Sequence, residues 1–106
     1  MSSHVINKQK WAKMTMFEQM GNIGSEVGRA LSAKQRGDSG SRDSALYRGL
    51  DLIDATSALW AKDYPHRNKE LLRAREQFVQ SVTTDDVDET LENYFMQFAI
   101  AARLNR

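Results

Sequence analysis

Asp51 and Asp54 stand one helical turn apart, a spacing at which two carboxylates on one helix could hold a hard cation through oxygen. Asn22, Glu26 and Arg29 form a second polar line at i, i+4 and i+7, suited to meeting a ligand or a second subunit. Arg67, Lys69, Arg73 and Arg75 give one segment a basic bias, and Arg29, Arg73 and Arg75 could reach phosphate oxygens. The chemistry on offer is therefore electrostatic. Each of these groups also has a plainer reading as a solvated helix face, and Asp51 with Asp54 is read that way, so no metal site is assigned. The chain has no cysteine, which removes thiolate zinc sites and cysteine nucleophiles. His4 and His66 are its two histidines, too few for a Ser-His-Asp arrangement to be argued from spacing. His66 sits beside Pro65 at a predicted helix start, whereas a phosphoacceptor histidine belongs in mid-helix. No Glu-x-x-His pair of the di-iron bundles is present. Asp85, Asp86, Asp88 and Glu89 lack the glycine and ligand order of a calcium loop and read as acid at a helix start. No catalytic residue and no cofactor is assigned.

These residues must be positioned by helices. No stretch alternates apolar and polar residues in the manner of a strand. Thr15 and Glu18 have the Thr-x-x-Glu spacing of a capping box, and Phe17, Met20, Ile23, Val27, Ala30 and Leu31 follow at spacings of three and four. This predicts a first helix from Thr15 to a stop at Gly37. Gly24 and Gly28 lie on or beside its apolar stripe and point to close packing by a neighbour. Arg36 to Asp43 reads as a polar linker. A second helix is predicted over 41–61 with Leu46, Leu50, Ile53 and Trp60 inward. Tyr64 and Pro65 break the chain, and a third helix follows to Val82 with Leu71, Leu72, Phe78, Val79 and Val82 inward. A fourth is predicted from Val87 to Leu104. The expected architecture is all-α, a four-helix up-down-up-down bundle over residues 15–106 preceded by a short flexible arm, residues 1–14.

The whole has 106 residues, enough for one domain. Fifteen Lys and Arg against fourteen Asp and Glu leave a net charge of +1, which speaks against a nucleic-acid module. No apolar run is long enough to span a bilayer, and Met1 to Lys13 has no leader-like apolar stretch, so the default expectation is a cytoplasmic protein with no membrane partner.

Four phrases, Asn22–Leu31 (NIGSEVGRAL), Arg48–Thr56 (RGLDLIDAT), Leu71–Phe78 (LLRAREQF) and Tyr94–Leu104 (YFMQFAIAARL), resemble a group of small, uncharacterised bacterial and archaeal proteins. The resemblance spans residues 17 to 104 and brings no activity with it. The layout is also loosely similar to the helical HEPN domains, which bind nucleotides or cleave RNA. Their RNases place a histidine four to six residues after an arginine, and neither histidine here has one at that distance.

Two expectations concern surfaces. Met96, Ile100 and Leu104 lie on the back of the fourth helix, and Leu52 and Leu59 lie off the stripe of the second. This surplus apolar surface points to a homodimer, unless the arm's Trp11 and Met14 cover it. Arg75 falls among Leu71, Phe78 and Val82, so a buried ion pair with Glu26, Asp51 or Asp54 is expected. Snorkelling to the edge and anion binding are the alternatives. The functional expectation is a non-enzymatic helical protein that acts through assembly with itself or a protein partner. The alternative is a nucleotide- or nucleic-acid-handling domain that uses Arg29, Arg73 and Arg75, with Asp51 and Asp54 as metal ligands.

Overall fold

The computed structural model describes residues 6–86 and 89–104. Among them the chain is all-helical: α1 (Lys8–Lys13), α2 (Met16–Gln35), α3 (Ser39–Asp63), α4 (Pro65–Thr83) and α5 (Leu91–Leu104).

The caps explain the boundaries. Thr15 Oγ1 accepts from the Glu18 amide at 3.1 Å and Glu18 Oε1 accepts from the Thr15 amide at 2.9 Å, which completes the capping box that starts α2. Gly37 takes the left-handed conformation, φ +73°, that closes α2. Asp38 then caps α3 through the Ser41 amide at 3.1 Å. With a left-handed glycine followed at once by a capping aspartate, the turn needs only Arg36 to Asp38. Most of the predicted linker is therefore the first turn of α3, which begins two residues earlier than expected. Pro65 opens α4, where its missing amide costs nothing. Val87, the expected start of the last helix, lies outside the described residues. Asp86 accepts from Gln80 Nε2 at 2.7 Å.

α2 is the centre of the packing. α3 lies along one side of it and α5 along another, α4 rests chiefly on α3, and α4 and α5 touch at few positions. Met20, Ile23, Val27, Ile53, Leu71 and Phe78 are fully enclosed. Two glycines set the closest approaches. A Cβ on Gly24 would lie 2.8 Å from Phe95 Cβ, and one on Gly49 would lie 2.7 Å from Phe78 Cε2. Lys34 of α2 donates to the Ser81 carbonyl at 2.6 Å and to the Thr84 carbonyl, placing a cation at the C-terminal end of α4.

The expected flexible arm needs correcting at its second half. Residues 8–13 form α1, packed on α3. Trp11 is 6% exposed. Its indole Nε1 donates to Thr56 Oγ1 at 3.0 Å, and its carbonyl accepts from Gln19 Nε2 at 2.8 Å. A tryptophan removes a large apolar area from water when its N–H finds a partner, and α3 supplies both the apolar wall and the acceptor.

Candidate functional site

Glu26 organises the most polar part of the α2–α3 seam. It is buried, 8% exposed. Arg48 of α3 donates to it twice, Nε to Oε2 at 2.9 Å and Nη2 to Oε1 at 3.3 Å, and Arg29 Nη1 donates to Oε1 at 3.3 Å. One carboxylate thus holds two guanidiniums. Gly49 makes this possible: a Cβ there would lie 3.4 Å from Glu26 Cβ as well as against the Phe78 ring. The sequence places Glu26 on a solvent line with Asn22 and Arg29. Asn22 and Arg29 are exposed, but Glu26 sits at the flank of the apolar stripe, where α3 covers it. Arg48 escaped the sequence reading, although its neighbour Gly49, a glycine deep inside a helical pattern, signals a close approach there.

Above this pair an open groove of about 1050 Å³ runs between α2 and the first turns of α3. Three arginines line it, Arg29 of α2, Arg36 of the turn and Arg48 of α3, together with Ser25, Ser32, Ser41 and Ser44. Asp38 stands at its edge; hydrogen bonding by the Ser41 side chain, then by the Ser41 amide, holds its carboxyl below the usual carboxylate range with help from Arg36. Arg36 Nη1 donates to Ser32 Oγ at 2.8 Å.

The other candidates lie elsewhere. Arg75 does find Asp54, Nε to Oδ1 at 2.8 Å and Nη2 to Oδ2 at 3.3 Å. The pair is not buried: the side chains are 35% and 56% exposed. Leu72, expected inward beside Arg75, is itself 41% exposed. The apolar sector of α4 is therefore narrower than its sequence suggests, and Arg75 stands on its rim. Asp51 and Asp54 line a mostly apolar pocket of about 490 Å³ between α1 and α3, with Ile6, Lys8, Trp11 and Leu59. Among the described residues no three His, Asp or Glu side chains gather as a metal set. Arg29 and Arg75 thus fall in different seams, and Arg73 is exposed, so the structure does not gather the expected phosphate and metal residues into one site.

Of the surplus apolar residues, Leu52 requires a correction. It is 8% exposed and belongs to the core cluster that also holds Trp11 of α1, a helix the sequence reading did not include. Leu59 is half-exposed beside α1. Met96, Ile100 and Leu104 are exposed on α5, Leu104 at 79%. The inner side of α5 carries an aromatic cluster, with Tyr94 edge-on to Phe95 and Phe98 at centroid distances of 5.0 and 5.5 Å. Burial pushes the Tyr94 hydroxyl up to about 12, aided by Glu70 and opposed by Arg67.

Compared with known protein families, curated proteins and solved structures, the chain matches none. Among the described residues no helix is long and apolar enough to cross a membrane.

Proposed function

We propose that this protein works without catalysis, as a helical module that pairs with a second copy of itself through the outer face of α5. In this reading α2 to α5 follow one another up, down, up and down, with α1 as an outer layer on α3. The carrying observation is the composition of that face. With Met96 at zero and about 100° per residue, Ile100 falls near +40° and Leu104 near +80°, while Glu92 falls near −40° and Arg103 near −20°. All five are exposed. The face is thus an apolar stripe with an acid on its flank at one end and a base on the same flank at the other. A parallel two-fold pairing would leave the two Glu92 at one level and the two Arg103 at another, each pair on opposite flanks of the seam, with no acid facing a base. An antiparallel pairing sets each Met96 against the second copy's Ile100 and each Glu92 against the second copy's Arg103. Only the antiparallel arrangement is complementary in both apolar contact and charge, and it is self-complementary, as a two-fold interface must be.

The stripe is short, so the interface falls below the roughly 800 Å² per partner of standard complexes, and sedimentation equilibrium should cover about 10 µM to about 1 mM. A dimer mass is expected, reverting to monomer for Ile100→Asp. Glu92→Arg alone should weaken pairing, and Glu92→Arg with Arg103→Glu should restore it. Monomer throughout the range, or a double variant as weak as the single, would overturn the reading.

A further inference from the structure

A second feature, on the α2–α3 seam, is the groove of three arginines. We infer that it binds a small phosphorylated compound, held through its phosphoryl oxygens by Arg29, Arg36 and Arg48.

Charge comes first. Three guanidiniums line the groove; Asp38 stands at its edge, Glu26 lies below Arg29 and Arg48, and the Glu92 carboxylate of α5 comes near it at Gly28. The charges balance, but several of the arginine N–H donors have no acceptor among the described residues. Arg48 spends Nε and Nη2 on Glu26 and keeps Nη1; Arg29 spends one N–H on Glu26 and has a side chain 64% exposed. A guanidinium anchored by a buried carboxylate has already lost much of its rotamer freedom, so a ligand that meets it pays less ordering entropy. Planar guanidiniums match phosphoryl oxygens in pairs, and the Ser44 hydroxyl adds a neutral donor beside them.

The glycines supply an independent argument. Gly24 and Gly49 are required by packing, since a Cβ on either would collide with a phenylalanine. Gly28 and Gly40, the two glycines that line the groove, are not required by packing, and neither is Gly21 of α2, which lies outside it. A Cβ on Gly28 would find only Glu92 Oε2 at 3.8 Å, and one on Gly40 only Asp38 Oδ1 at 3.9 Å. Both are ordinary contacts. A glycine inside a helix costs about 1 kcal/mol relative to alanine. At Gly28, in the body of α2, the neighbouring protein atoms give no reason to bear that cost. Its missing Cβ leaves that side of the groove clear for an entering group.

The lining also says what the ligand lacks. No aromatic ring and no large aliphatic side chain is among the lining residues, so a base would have nothing to stack on. The recognised part is the phosphoryl group, and a nucleotide would bind through its phosphates alone.

Inorganic pyrophosphate and tripolyphosphate are the probes, titrated into the full chain at matched ionic strength against chloride and followed by amide NMR. Saturable shifts are expected at Gly28, Arg29, Gly40 and Ser41. ATP should bind no more tightly than tripolyphosphate. Arg29→Gln and Arg36→Gln, both at exposed side chains and so compatible with folding, should each weaken pyrophosphate about tenfold. Gly28→Ala should raise the melting temperature and weaken pyrophosphate together. The assignment is overturned by shifts no greater than chloride produces, by arginine variants that bind as the parent does, by Gly28→Ala binding unimpaired, or by a single-stranded oligonucleotide binding where pyrophosphate does not.

Discussion

Two ion pairs on neighbouring seams came out reversed from their sequence patterns. On the α2–α3 seam Glu26 reads as a solvent-facing residue, yet it is buried and bonded to Arg48. On the α3–α4 seam Arg75 reads as an inward residue, yet it and Asp54 lie at the rim, a third to a half exposed. The helical wheel is the same instrument in both cases. It measures each residue against the apolar stripe of its own helix. It does not say how wide a sector the neighbours cover. α2 is touched by α3, α4 and α5, so even the flank of its stripe is enclosed. α4 rests chiefly on α3, so the flank of its stripe is open. Coverage by neighbours, more than angle, decides which charge must be paired and which can be left in water.

The comparison is sharpened by substitutions ranked by expected loss in urea melts. Arg48→Met takes the anchoring cation from a buried carboxylate and should cost about 3 kcal/mol, at the low end for such pairs because Arg29 remains and Arg48 is itself partly hydrated. A loss under about 1 kcal/mol would mean that the Glu26 seam is no different from the surface. Gly49→Ala should cost about 1–2 kcal/mol, because pressing a Cβ into the enclosed Phe78 ring outweighs the helix preference for alanine. A stabilised Gly49→Ala protein would mean that the Phe78 ring of α4 and the Glu26 stem of α2 can give way around Gly49, and the enclosure of Glu26 would be in doubt. Arg75→Ala should cost less than about 1 kcal/mol, with the loss shrinking further at high salt, as befits an exposed pair. A cost of about 3 kcal/mol would restore the buried reading and erase the contrast. The smallest effect is absent at neutral pH. The Tyr94 hydroxyl titrates at about 12 in the fold and near 10 in an unfolded chain. The folded state therefore holds this proton more tightly, and stability is kept below pH 10 and lost as pH rises from 10 toward 12. Tyr94→Phe should flatten that decline in alkaline melts and remove the tyrosinate absorbance step near pH 12.

Much of the fold was legible because its signals are local. The Thr15–Glu18 box, the stop at Gly37 and Pro65 at a helix start each depend on backbone groups within a few residues, and the structure has all three. Gly24 was legible as a close approach, though Phe95 as its neighbour was not. α1 was missed because six residues with one buried tryptophan show too little periodicity. Its helix depends on Thr56 and Gln19, and both are far from Trp11 in angle or in sequence. Leu52 then passed for surplus surface because the core cluster it shares with Trp11 had not been seen.

The groove was half legible. Arg29 stood out by its spacing from Glu26, and Arg36 follows it at i+7 at the end of the same helix, but Arg48 lies 19 residues beyond Arg29 in α3, and no periodic rule within one helix relates it to them. The amino-acid sequence by itself determined that this chain is helical, where most of its helices start and stop, and which side chains must leave water, because caps and 3.6-residue periodicity act over one or two turns. The tertiary structure alone decided which flanks are covered, and hence that Glu26 is enclosed, Arg75 is wet, and Arg48 shares one groove with Arg29 and Arg36. Those outcomes depend on where a neighbouring helix crosses, and in α2 and α3 that crossing is set by the absence of a Cβ at Gly24 and Gly49.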